Sequence, residues 1–237
     1  MSSGPRLSVS FVKLGNRLAL TSQHMDIVNK ALSEIVAKKG SDAALAKHAI
    51  TRNMELAIQL LYTHLSEYLR FILAEMYAKK PLEIVGKFQG GQAALPFHEI
   101  VNLGTYEAVC QRMIDQVFRN LEGQRSTKIL IEKILDRTGA KVNSEQLENA
   151  MLYMEIRHLI VHNSSVVDRK FKETYEHKLS YAVVGSKLPM SIGLARRAIA
   201  SIRDLCRNID SELVSKGYLD PHLEPAVSDD GQFHLSA

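Results

Sequence analysis

Between Ile192 and Leu213 the chain places an apolar residue at every third or fourth position: Ile192, Ala195, Ile199, Ile202, Cys206, Ile209 and Leu213. That spacing lines one face of an α-helix, whereas a half-buried strand needs an apolar residue at every second position. A seam about six turns long must be covered by other elements, so it cannot exist alone in water. Leu61, Leu65, Tyr68, Ile72 and Met76 form a second seam, and Leu147, Met151, Met154, His158 and Val161 a third. Three such seams predict an all-α bundle with their helices at its centre.

Turn-forming residues divide the chain between the seams. A first helix is expected from about Ser22 to Lys38, stopped at Gly40, and a second from Ser41 or Asp42 to about Ala78, ended by Pro81. Residues 81–104 hold Gly86, Gly90, Gly91, Pro96 and Gly104, which reads as a loop inserted into the bundle. Two short helices follow at about 105–121 and 125–138, the second closed by Gly139. Asn143, with Gln146 three residues on, can cap a helix over 144–162, and Asn163 tolerates the left-handed conformation that ends one. Residues 163–187 read as irregular, with LSYAVV as a short extended segment. The last helix opens near Pro189 and stops at Gly217, with Pro221 beyond. This divides the chain into an N-terminal extension (1–21), one helical domain (22–217) and a polar, disordered tail (218–237).

A chain of 237 residues can bury one sizeable core. Cys110 and Cys206 are its only cysteines and both fall in helical patterns, which excludes a disulfide framework and points to a reducing compartment, the cytoplasm. The opening MSSGPRLSVSF lacks an apolar signal core, and no stretch reaches the length of a membrane span. A net charge of +4 fits an RNA partner without demanding one. Arg196, Arg203 and Arg207 form a basic stripe beside the last seam: either a ridge that contacts phosphates or the solvated flank of a core helix.

The chemistry concentrates in EIRHLIVHN, residues 155–163. Arg157 offers a planar fork of donors suited to a phosphate, and His162 can exchange a proton near neutral pH. Together they can cut a phosphodiester without a metal. At the C-terminal end of a helix the macrodipole also favours a protonated imidazole. Five helical residues separate the two by about 140° around the axis and about 7.5 Å along it. Either the last turn unwinds, or a second copy related by a two-fold axis completes the site.

Arg157 and His162, with His158 after the Arg and Asn163 after the His, resemble the signature of the HEPN superfamily (higher eukaryotes and prokaryotes nucleotide-binding). The continuation VVDRKF and the earlier stretch LYTHLSEYLRFIL are similar to bacterial HEPN proteins of toxin–antitoxin and antiviral loci. The resemblance covers about residues 25–215, with its specific part at 155–171. It implies an all-α bundle, a homodimer with facing motifs, and metal-independent RNA cleavage, with no cofactor. Carried over, Arg157 and His162 are the catalytic pair, with His158 and Asn163 as supporting positions. Glu67 matches an acidic residue that members carry on an earlier helix. An antitoxin or activating partner is a further expectation. One departure is Ser164, where a subgroup of these toxins has a Tyr that its antitoxin modifies with AMP.

Other chemistries meet the same residues less well. His158 and His162 have the spacing of zinc ligands, but Leu159 stands where a metalloprotease needs Glu, and no third ligand is evident. Glu155 and His158 form one Glu-x-x-His pair, where di-iron bundles need two. Gly90-Gly91 lacks the Lys and Ser/Thr of a phosphate loop. Two plainer readings stand beside the enzyme. Arg157 could pair with Glu155 or Glu148 while His162 caps the helix, or the chain could be a non-catalytic HEPN-like dimeric interaction or nucleotide-sensing module.

Overall fold

A computed structural model describes residues 6–80, 95–122 and 127–222, of which 76% are helical. The described residues form eight helices: α1 (Val9–Ala37), α2 (Ala43–Lys79), α3 (Phe97–Leu103), α4 (Tyr106–Glu122), α5 (Thr127–Thr138), α6 (Ser144–His162), α7 (Arg169–Tyr175) and α8 (Ile192–Ser215). Strand-like pairing among them is limited to two isolated bridges, Ser8 with Pro221 and Val166 with Lys187. The all-α class expected from the seams therefore holds.

Several boundaries differ from the sequence expectation. α1 begins at Val9, so most of the stretch assigned to an N-terminal extension is helical and buries Phe11, Leu14 and Leu18. Their three-four spacing continues to Met25, and the Ser8 hydroxyl starts the helix by accepting from the Phe11 amide at 3.2 Å. Tyr218 and Leu219, expected in a polar tail, are buried, and the His222 amide donates to the Leu7 carbonyl at 2.7 Å. The remainder of that tail, residues 223–237, and residues 81–94 of the expected 81–104 loop lie outside the described residues, while 97–103 of that loop form α3 instead. Within 163–187 a short helix, α7, forms because the Asp168 carboxylate accepts from the Phe171 amide at 2.7 Å. LSYAVV runs through turns rather than an extended segment. α8 opens three residues after Pro189, with the Ser191 hydroxyl accepting from the Leu194 amide.

The chain divides into two units. The first comprises residues 1–14, 65–143 and 206–237. Its core takes Tyr68, Leu69, Ile72 and Met76 from α2, Leu130, Ile131 and Ile134 from α5, and Cys206, Ile209 and Leu213 from α8. One carboxylate, Asp210, is buried with them and is fully partnered. It accepts from the Ser8 amide at 2.6 Å, from the Ser8 hydroxyl, and from the Tyr68 hydroxyl at 3.2 Å. The Tyr68 hydroxyl also lies 3.2 Å from the Cys206 carbonyl. Burial pushes the Asp210 carboxyl above the ordinary Asp range, and the bonds from Ser8 and Tyr68 only partly oppose it. α8 ends in paired turns, with Gly217 donating to the Val214 carbonyl and Tyr218 to that of Leu213, at 3.0 and 2.9 Å. Gly217 takes φ +71 there, the left-handed conformation this helix stop requires.

The second unit comprises residues 15–64 and 144–205. Leu18 and Met25 of α1, Met54, Ile58 and Leu61 of α2, Ile156 and Leu159 of α6, and Leu194, Ala198, Ile202 and Leu205 of α8 fill its core. α6 is buried over a wider arc than one seam, from Ala150 to Met154 and again at Ile156, Leu159 and Ile160. Val161, expected on the core face, is 44% exposed. A helix covered on several sides carries apolar residues all round, which blurs a single-stripe reading.

Candidate functional site

The end of α6 carries the motif, and its backbone is unusual. α6 stays helical through His162, since the Asn163 amide still reaches back to the Leu159 carbonyl at 2.9 Å. The turn falls one residue later than expected. Ser164 and Ser165, not Asn163, take the left-handed conformation, at φ 49° and 65°. Such a φ costs a residue with a side chain about 1–2 kcal/mol, so two in succession need outside support. Three contacts supply it. Asn163 donates its side-chain amide to the Val166 carbonyl at 2.6 Å, and the Ser165 amide bonds the Leu159 carbonyl at 2.9 Å. The Ser165 hydroxyl donates to Glu55 Oε1 at 2.6 Å. Ser165 is 2% exposed and Glu55 6%, and the second oxygen of Glu55 holds Arg52 Nη1 at 2.6 Å. Asn163 thus shapes the turn through its side chain rather than its φ.

On α6 itself, His158 and His162 sit one turn apart with ring centroids 4.6 Å from each other. His162 is exposed, and His158 half-buried. Arg157 is half-buried, with its guanidinium carbon 4.3 Å from the centre of the Tyr62 ring on α2. A guanidinium lying over a ring uses its flat face and keeps its five N–H donors around the edge. Of the two ways to join Arg157 and His162, unwinding of the last turn is therefore excluded. The offset of about 140° persists within one chain.

The remaining expected positions fall in both units. Glu67 lies half-buried on the part of α2 that belongs to the first unit, whereas the motif belongs to the second. The carboxylate tied to the motif's end is Glu55, which the sequence did not single out. Arg196 is paired with Asp26 at 2.9 Å, and Arg203 with Asp204 at 3.4 Å. Both are exposed, and Arg207, on the first unit's part of α8, is half-buried. The basic stripe is thus partly neutralised. Among the described residues no three His, Cys, Asp or Glu side chains are grouped to hold a metal ion, and no helix is long and apolar enough to cross a membrane. No protein-family model, curated protein or solved structure matches the chain.

Proposed function

We propose that this chain is a metal-independent endoribonuclease with Arg157 and His162 as its catalytic pair, as the resemblance to HEPN proteins implies. The observation that carries this reading is the end of α6: an exposed imidazole beside a second imidazole, on the same helix as a half-buried guanidinium held over the Tyr62 ring. His162 takes the proton from a ribose 2′-hydroxyl, whose oxygen bonds the adjacent phosphorus. The bond from phosphorus to the 5′-oxygen breaks, and that oxygen leaves with a proton from a protonated imidazole, for which His158 is the nearest neighbour. Arg157 stabilises the charge gathering on the phosphoryl oxygens, a contribution of about 3–4 kcal/mol for a well-placed donor. Because the offset persists in one chain, the active form is a two-fold dimer in which two α6 helices combine their groups. A role as toxin or defence effector, controlled by an antitoxin or activator, rests on the resemblance alone.

The test is cleavage of a single-stranded RNA in EDTA, with analysis of the ends. The expected products carry a 2′,3′-cyclic phosphate and a 5′-hydroxyl, and a 2′-deoxy substrate resists cleavage. Arg157→Ala and His162→Ala each lose about two orders of magnitude or more in rate with the fold intact. Abolition by EDTA, or full activity in both variants, refutes the proposal. Absence of cleavage by the wild-type protein would favour the second reading, a non-catalytic HEPN-like dimeric or nucleotide-sensing module. The Arg157–Tyr62 contact supports that reading too, since a purely structural Arg would also make it.

A further inference from the structure

The second unit contains a cleft of about 490 Å³ that none of the preceding chemistry uses. Its walls include Tyr153 from α6, Lys178, Leu179 and Tyr181 from the turns after α7, and Arg197 from α8, with Glu145 at the start of α6. A volume of this size is ordinary for a small-ligand site. Tyr181 is 47% exposed and is followed by exposed Val183 and Val184, so an aromatic face and an apolar edge stand open to solvent. The two cations are differently engaged. Lys178 donates to the Asn149 side-chain carbonyl and lies 3.5 Å from Glu148, which also holds His177 at 3.1 Å. Arg197 instead lines the cleft together with Tyr181. Burial raises the pKa of that phenol, and the guanidinium pulls it back down. Arg197 is exposed on the cleft wall, where an anion can reach it.

An aromatic face, a guanidinium and an ammonium around one cleft match one nucleotide: a base to stack, a phosphate to pair. We infer that this cleft is a subsite for one nucleotide of single-stranded RNA, with the base on Tyr181 and its phosphate against Arg197 and Lys178. The inference rests on the ribonuclease reading for its choice of polymer. It adds a place where the substrate is held away from the scissile bond. Glu145, Asn149, Leu152 and Tyr153 place the cleft beside the first half of α6, ahead of the motif on the same helix. From Asn149 to Arg157 is about 12 Å along the axis, a distance a short single strand can span. The strand would therefore run along α6 with one nucleotide anchored near its start and the reacting phosphate near its end.

The test separates binding from cleavage by using a fluorescein-labelled oligoribonucleotide with 2′-O-methyl sugars, which cannot be cut by 2′-hydroxyl attack. Anisotropy titrations of the full chain are expected to give saturable binding, weakened about tenfold or more in Tyr181→Ala and preserved in Tyr181→Phe. Arg197→Ala should weaken binding and reduce the slope of log affinity against log salt by about one. His162→Ala should lose cleavage of ordinary RNA by about two orders of magnitude or more while still binding the probe. Equal binding by wild type, Tyr181→Ala and Arg197→Ala overturns the subsite, whatever the cleavage assay shows. Displacement of the probe by polyglutamate as effectively as by unlabelled RNA overturns it as well, since the cleft would then select only for negative charge. Loss of activity in neither motif variant, with Tyr181-dependent binding intact, refutes the ribonuclease reading and leaves the subsite standing.

Discussion

Glu55 satisfies two groups at once, the hydroxyl of a serine 110 positions away in sequence and the guanidinium of Arg52. Replacing it by Ala strands the buried Ser165 hydroxyl and removes the brace from a strained turn. Glu55→Ala should lower stability by about 1–3 kcal/mol, read as a shift in the urea midpoint, whereas an exposed Glu such as Glu155 should tolerate the same change. Tyr62 is a second residue whose role depends on a distant partner. Tyr62→Ala should lower RNA cleavage roughly tenfold through loss of the Arg157 platform, and Tyr62→Phe should keep the activity, since the ring face rather than the hydroxyl makes the contact. Equal rates in Tyr62→Ala and wild type would show that Arg157 needs no such platform. That Arg157, His158 and His162 share the end of one helix was legible in the sequence, because residue type and spacing within a helix are local. Glu55 and Tyr62 were not, because nothing local marks a Glu or Tyr for a partner on another helix.

At the scale of the element, α4, α5 and α6 were readable to within about two residues because their ends are written in local code: Gly139 after α5, and a polar run after His162. The start of α1 was missed although Phe11, Leu14 and Leu18 carry the helical spacing, since a run of small polar residues before it reads as a loose terminus. α7 was missed because seven residues are too few for a periodic signal, leaving only the Asp168 cap. Two left-handed turns give predictions of opposite sign. Gly217→Ala forces a side chain into φ +71 and should cost about 1–2 kcal/mol. Ser164→Gly removes such a side chain from φ 49, and stability should stay level or rise by up to about 1 kcal/mol, because the gain is offset by a more flexible unfolded chain. Denaturation midpoints of the two variants decide both, and a loss in Ser164→Gly as large as in Gly217→Ala would contradict the strain at that serine.

For the whole molecule, the buried carboxylate sets a dependence on pH. A carboxyl whose folded pKa lies above its unfolded value, about 3.9 for Asp, adds stability that is fully present below the unfolded value. That contribution is lost as pH rises through the higher folded value. Asp210 has this sign. As pH falls from neutrality toward 4, wild type should therefore gain on Asp210→Asn, and the difference in their melting temperatures should move in favour of wild type. A difference independent of pH would mean that Asp210 titrates alike in both states. Assembly is tested at the same scale: sedimentation should show a dimer at micromolar concentration, and a monomer with undiminished cleavage would remove the reason for a composite site. The Tyr68–Cys206–Asp210 cluster also gives the chain its own chemical clock. The Cys206 sulfur is wholly covered, and burial, followed by the Asp210 carboxylate, raises its thiol well above the ordinary range, while Cys110 is only half-buried. A maleimide added to the native protein should consume Cys110 first, and Cys206 only as fast as the first unit opens. The lag between the two reactions then times that opening directly, with no denaturant and no engineered probe.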